Sequence, residues 1–245
     1  MLVVIMLITS LDNKKIKEIN KLKNKKYRDK ENKFIIETPN LIYEAYKNNI
    51  LLELYVLEGN SLDVDVEIYE VTIDVMNKIK QIETSKFLGV CKKIDSKEEL
   101  GDKILLLDGI QDPGNLGTII RSAKAFNIDT IILSNTCCDL YNEKVIRATE
   151  GALFKINIIR DDLLKQIEII KNKNINIYGT NVVNGIDIKN VKEEKYAIII
   201  GSEGNGISKE VQNAIDKNIY IPINKEIESL NAGVATSIIL YELNK

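Results

Sequence analysis

Three stretches of this chain place polar side chains on glycine-bearing turns that directly follow apolar runs. They are Asp108-Gly-Ile-Gln-Asp-Pro-Gly-Asn-Leu-Gly, Gly201-Ser-Glu-Gly-Asn-Gly and Pro222-Ile-Asn-Lys-Glu-Ile-Glu-Ser-Leu-Asn-Ala-Gly. A single glycine turn needs no explanation beyond its tolerance of positive φ. Three of them at strand ends point to the walls of a ligand site, because ligands of parallel sheets sit beyond the carboxyl ends of the strands. Two familiar phosphate sites are excluded. Gly109 and Gly114 have the spacing of a P-loop, but Asn115 and Leu116 stand where Lys and Ser or Thr are required. The turn at Gly201 runs Gly-x-x-Gly-x-Gly, the wrong order for a dinucleotide fingerprint.

The chain has no histidine, which rules out Ser-His-Asp and Cys-His nucleophilic catalysis and any histidine base. Proton handling must fall to other groups. Five residues around the three turns could carry chemistry: Asn115, Arg121, Glu203, Ser229 and Asn231. Each also has an ordinary structural reading. Asn115 could cap the helix that follows it, Ser229 and Asn231 could cap the last helix, and Arg121 and Glu203 could be surface residues. A carboxylate in a tight glycine turn nonetheless seeks a partner, and Glu203 is expected to place Arg121 or donors near a substrate.

The elements that position these residues read as two halves. In the first, a helical pattern over Asn13–Asn24 places Ile16, Ile19 and Leu22 on one face, followed by a strand at Lys33–Glu37 and a helix opened by Pro39. Strands at Leu52–Leu57 and Val64–Val71, a helix over Ile73–Ile82 and a strand at Phe87–Cys91 complete a small α/β domain, residues 1–95. Residues 96–103 are polar and form a linker. From 104 to 245 strands alternate with helices: strands at Ile104–Leu107, Thr130–Leu133, Lys155–Ile159, Ile175–Tyr178, Tyr196–Ile200 and Ile219–Ile221, with helices at Asn115–Phe126, Glu143–Glu150, Asp161–Lys171, Ser208–Ile215 and Leu230–Leu243. That alternation predicts a parallel, doubly wound α/β sheet.

Net charge is −2, from 34 Lys and Arg against 36 Asp and Glu. Any nucleic-acid surface must therefore be local. The run Lys14–Lys33, rich in Lys, supplies one, with Lys25, Lys26, Tyr27 and Arg28 as candidate RNA contacts and a solvated helix face as the plain alternative. Cys91, Cys137 and Cys138 fit small buried residues in a reducing cytoplasm rather than a metal site. The apolar Met1–Ile8 is too short to span a bilayer and reads as a first strand or an extension.

The three turns, with their flanks, resemble the three motifs of the SpoU (TrmH-type) branch of the SPOUT methyltransferases: LLLDGIQDPGNLGTIIRSAKAF (105–126), IIIGSEGNGIS (198–208) and IPINKEIESLNAGVATSIILYE (221–242). The stretch KKYRDKENKFIIETPNLIYEA resembles that family's small RNA-substrate-binding domain, with Glu37-Thr38 where the family usually has Glu-Gly. The resemblance implies a C-terminal parallel sheet threaded into a deep trefoil knot, a homodimer built across it, and S-adenosylmethionine as cofactor. It implies methylation of a ribose 2′-hydroxyl of RNA, with rRNA favoured over tRNA by the two-domain arrangement. A non-catalytic RNA-binding protein of ribosome assembly is the alternative of another class. It further implies Arg121 as the catalytic arginine, with Asn115, Glu203, Ser229 and Asn231 around the reacting groups. Thr180, Asn181, Ile200, Gly201, Gly204, Gly206, Ile221, Pro222, Ile223, Leu230 and Ala232 would hold the cofactor. No metal and no membrane enter this reading.

Overall fold

The computed structural model describes residues 6–182 and 185–245. The expected first strand falls partly outside them. Contacts divide the chain into two compact units. One comprises the chain up to Asp95 together with Tyr141–Phe154, the other Ser96–Leu140 with Lys155–Lys245.

In the first unit, β1 (Met6–Ile8), α1 (Lys14–Lys21), α2 (Lys25–Glu31), β2 (Lys33–Ile36), α3 (Pro39–Lys47), β3 (Leu51–Leu57), β4 (Glu67–Val71), α4 (Ile73–Ile79) and β5 (Phe87–Lys92) follow in order. The five strands form one sheet in the order β1-β4-β3-β5-β2, parallel except where β5 runs against β2 and β3. Ile16, Ile19 and Leu22 pack with Tyr55, Val75, Met76, Ile79 and Val90 in its core.

The helix expected over Asn13–Asn24 is α1, and a second helix, α2, follows it directly. Asn13 caps α1 by accepting from Lys15 N–H, and the chain turns at Leu22. Asn24 then caps α2 in the same way. α2 has no apolar stripe, so periodicity could not reveal it. It is fastened by Arg28, which is 8% exposed and turned inward. Its guanidinium donates to the carbonyls of Leu22 at 2.9 Å and Lys23 at 2.8 Å. Arg28, one of the expected RNA contacts, thus turns its Nη1 to the carbonyls left open where α1 ends. Lys26 is exposed, Lys25 pairs with Asp29, and Tyr27 is half-buried. Thr38 caps α3 from the residue where Glu-Gly is usual, and the buried Glu37 carboxylate accepts from the backbone N–H groups of Gln81 and Ile82.

The second unit is built on a seven-stranded parallel sheet. After β6 (Lys103–Asp108) come α5 (Pro113–Ala125), β7 (Thr130–Leu133), α6 (Glu143–Thr149), β8 (Asn157–Arg160), α7 (Leu163–Asn172), β9 (Asn176–Thr180), β10 (Ile186–Asp187), β11 (Tyr196–Gly201), α8 (Lys209–Asn213), β12 (Lys217–Tyr220) and α9 (Ala232–Leu243). Strand order is β10-β12-β9-β11-β6-β7-β8, every neighbouring pair parallel. β6 and β11 lie mid-sheet, and their continuous apolar runs are buried on both faces, as parallel strands require. Of these elements α6 lies within the Tyr141–Phe154 segment and so groups with the first unit. The two-residue β10 is too short to show a pattern in sequence.

Arg28→Ala should cost the fold about 2–4 kcal/mol, since it strips donors from two helix-end carbonyls. Lys26→Ala should stay within about 0.5 kcal/mol. Urea unfolding of both proteins tests this; equal midpoints would show that Arg28 does not fasten α2.

Candidate active site

The three turns sit at the carboxyl ends of β6, β11 and β12. The first turn leads into α5, whose cap is Asp112: its side chain accepts from Asn115 N–H at 2.8 Å, and Pro113 fills the first helical position. The reading of Asn115 as a cap is thus corrected by three residues, to Asp112. Relieved of capping, the Asn115 side chain points to its neighbours on the other turns.

Asn231 sets the arrangement. It caps α9, its Oδ1 accepting from Gly233 N–H at 3.0 Å and Val234 N–H at 3.2 Å. Its Nδ2 is left to donate to Asn115 Oδ1 at 2.9 Å. Asn115 Nδ2 in turn donates to Glu203 Oε1. An amide has one accepting and one donating end, so capping at Asn231 fixes the sense of every bond along this line. A second tie runs between the first two turns, where Asp108 Oδ2 accepts from Ser208 N–H at 2.8 Å.

The structure therefore brings Asn115, Glu203 and Asn231 together, with Glu203 held by Asn115 and not by Arg121. Arg121 is exposed on α5, and no carboxylate among the described residues lies within ion-pair distance of it. It stands about 9 Å along the helix axis from Asn115, at a rise of ~1.5 Å per residue. Ser229 is exposed and joins neither tie.

Beside this line lies a cavity of about 100 Å³ lined by Asn181, Val182, Ile219, Tyr220, Ile221, Ile223, Ser229, Leu230, Ala235 and Ile239. Its walls are largely apolar, and its Ser229-Leu230 edge runs straight into Asn231. Such a slot fits an adenine ring, with loop backbone groups at its mouth. Of the residues expected to hold a cofactor, Asn181, Ile221, Ile223 and Leu230 line it. Thr180, Ile200, Gly201, Gly204, Gly206, Pro222 and Ala232 do not. Ile200 is core, 3% exposed, and Thr180 Oγ1 donates to Ile199 O at 3.1 Å. Val182, Ile219, Tyr220, Ala235 and Ile239 were not anticipated. They read as ordinary strand and helix residues until β12 and α9 are folded together.

Gly201 has a structural reason of its own. Ser202 and Gly206 bond each other through both backbone groups, which folds the second turn back so that a Cβ on Gly201 would lie 2.1 Å from the Gly206 carbonyl carbon. Gly204, at the tip, has nothing within 4 Å. Among the described residues no cluster of His, Cys, Asp and Glu could hold a metal, and no helix is long and apolar enough to cross a membrane.

A parallel α/β sheet with polar turns gathered beyond its strand ends, beside an apolar slot, is an arrangement that holds small-molecule ligands. Residues 102–241 match the SpoU rRNA Methylase family, and the chain belongs to it. Residues 13–88 match the MRM3-like substrate binding domain. The chain is 34% identical over 243 residues to the 23S rRNA (guanosine(2553)-2′-O)-methyltransferase RlmP of Bacillus subtilis, covering 96% of this chain and 98% of that protein. An AdoMet-bound rRNA methyltransferase from Sinorhizobium meliloti superposes with a TM-score of 0.86 at 26% identity, over 98% of this chain and 97% of that one. The SpoU methyltransferase AviRb from Streptomyces viridochromogenes, in complex with AdoMet, shares the fold, with a TM-score of 0.83 at 21% identity over 95% and 97% of the two chains.

Two substitution pairs test the site's construction by urea unfolding. Gly201→Ala should cost about 3 kcal/mol through backbone overlap, while Gly204→Ala should be close to neutral. Asn231→Ala should lose about 1 kcal/mol of capping, whereas Asn231→Ser, which keeps a capping oxygen, should retain most of it. Equal losses within either pair would contradict the geometry.

Proposed function

We propose that this chain transfers the methyl group of S-adenosylmethionine to a ribose 2′-hydroxyl of RNA, with ribosomal RNA as its substrate class. The observation that carries this reading is the Asn231–Asn115–Glu203 line joining three turns at the edge of an apolar, ring-sized slot. The relatives' names and the AdoMet bound in two of the similar structures point the same way. S-adenosylmethionine supplies an electrophilic methyl group and makes a covalent enzyme intermediate unnecessary, which suits a chain without histidine. The chain's own residues position and stabilise. Asn181, Ile221, Ile223 and Leu230 hold the adenosine part, and Val182, Ile219, Tyr220, Ala235 and Ile239 complete its walls. Gly201, Gly204 and Gly206 keep the second turn close to it.

Asn115 and Asn231, fixed in sense, hold the first and third turns together, and Glu203 stands at their open end as an acceptor for the substrate's hydroxyl or its surroundings. Ser229 stands at the slot's edge, beside the reacting groups. Arg121 carries the positive charge. A guanidinium keeps its protons in proteins, so Arg121 binds the adjoining phosphate and stabilises the oxygen as negative charge develops there.

We extend the reading to assembly, topology and place. α9 is apolar on nearly all sides, yet Val234 and Tyr241 are 48% and 52% exposed. A helix of that composition is normally covered on both faces, and a second copy of this chain would cover it. β12 lies between β9 and β10, strands that adjoin in sequence, an arrangement that supports a threaded, trefoil-knotted C-terminus. The three cysteines are free, in keeping with work on RNA in the cytoplasm.

Calorimetry should detect binding of S-adenosylmethionine and none of NAD; the reverse result would overturn the reading. Mapping of ribose methylation in cellular RNA, with and without the gene, should lose a single 2′-O-methyl, and its position names the RNA. Arg121→Lys should bind the cofactor normally but transfer methyl at least about 100-fold more slowly, the scale of one lost transition-state donor. Near-full activity in that variant would remove any special role for the guanidinium.

A further inference from the structure

The first unit contains a cavity of about 350 Å³ between α1, α2 and the sheet. It is separate from the slot described above, and its lining has the composition of a base-binding pocket. Ile19, Leu22, Val90 and the ring of Tyr55 give apolar walls, and the half-buried Tyr27 adds an aromatic one. Flat apolar walls with an aromatic face are how proteins hold an unstacked base of single-stranded RNA.

One wall is polar. The Glu53 side chain is 21% exposed. Its Oε2 accepts from the Tyr55 hydroxyl at 2.6 Å, and its Oε1 faces Lys15 Nζ at 3.4 Å. Burial, together with Glu53 itself, drives the Tyr55 phenol well above its ordinary range, so the hydroxyl keeps its proton and fastens the carboxylate in place. Each carboxylate oxygen retains a further lone pair. The wall therefore offers two adjacent acceptors with an ammonium beside them. Lys15 is itself steered by Glu67 at 3.7 Å and the Tyr69 ring at 4.3 Å.

That order, donor then two acceptors, is complementary to the pairing edge of guanine, which presents the O6 acceptor, then N1–H, then the N2 amino group. Adenine and cytosine set a ring-nitrogen lone pair beside their single amino group, and uracil flanks one N–H with two carbonyls. Each would turn a lone pair toward the carboxylate. At the mouth, Lys21 lies 5.7 Å from the Tyr27 ring centroid, and neither Lys21 nor Lys33 has an ion-pair partner among the described residues. Two such cations suit successive phosphates of a strand better than one mononucleotide. Each of the other carboxylates there has a lysine beside it, Glu18 with Lys14 at 4.0 Å and Glu31 with Lys30 at 3.8 Å.

We infer that this cavity takes an unpaired guanine base of the substrate RNA, read by Glu53 and Lys15 and stacked against Tyr27. The inference rests on the methyltransferase reading only in taking RNA as the substrate. The test uses the full chain and fluorescent oligoribonucleotides at low salt: an all-uridine octamer, and the same octamer with one central guanosine, adenosine or cytidine. Anisotropy should show the guanosine octamer binding about tenfold tighter than the other three, the value of a bidentate base contact. Glu53→Gln should erase that preference, so that the guanosine octamer binds no tighter than the uridine octamer. Lys15→Gln should lower it severalfold by removing the donor to O6.

Wild-type protein without a guanosine preference overturns the proposal, as does a preference that survives Glu53→Gln. 5′-GMP binding as tightly as the guanosine octamer would overturn the assignment to RNA. Calorimetry with S-adenosylmethionine on the same proteins keeps the two readings apart. Cofactor binding without guanosine preference sinks this inference alone, and guanosine preference without cofactor binding sinks the methyltransferase reading alone.

Discussion

Two backbone N–H groups at the start of α9 decide which way three turns face one another. Because Gly233 and Val234 must be satisfied, Asn231 turns its oxygen to them and its nitrogen to Asn115. Asn115 then has only its nitrogen left for Glu203. No residue in this line could be reversed without leaving a donor facing a donor. The line converts the unmet hydrogen bonds that every helix N-terminus carries into fixed directions at a site whose two bonds span 88 and 116 residues of sequence. Preorganisation of that kind is what direct displacement chemistry requires, since its catalysis rests on placement and on charge already aimed at the developing oxyanion.

The sheet beneath the turns was legible. Runs such as Ile104–Leu107 and Ala197–Ile200 are apolar at every position because both faces of a central parallel strand are covered, and the polar turns stand out against them. The roles of single residues were less legible, because one side chain serves two masters. Asn231 is both cap and site residue, and nothing in its type separates the uses. Asn115 looked like a cap because the true cap, Asp112, precedes a proline that sequence reading left outside the helix. The slot was legible only in part, for a different reason. Ile219, Ala235 and Ile239 come from a strand and a helix whose patterns are those of plain core, and only long-range pairing of β12 with β9 and β10 makes them a wall.

In the first unit the charges misled in one place. A Lys-rich stretch with Tyr27 and Arg28 reads as a uniform basic surface, yet Arg28 is spent on carbonyls at the end of α1. Charge runs report composition, not direction, and a helix without an apolar stripe gives no period from which direction could be taken. Glu37 shows the same economy with the opposite charge. Its carboxylate closes two orphan N–H groups after α4, and burial raises its pKa despite those bonds. The neighbouring Thr38 meets the capping need of α3, giving that loop an ordered start without glycine.

The segment Tyr141–Phe154 carries a consequence for how such a protein can be taken apart. It lies within the stretch matched by the methylase family but packs with the chain up to Asp95. The boundary by ancestry and the boundary by packing are therefore different lines through the same chain. Severing the gene in the polar stretch after Asp95 would release a substrate-binding piece lacking the Phe34 ring partners Tyr141 and Phe154. A cut that respects only the linear order therefore takes from the first unit part of its own packing.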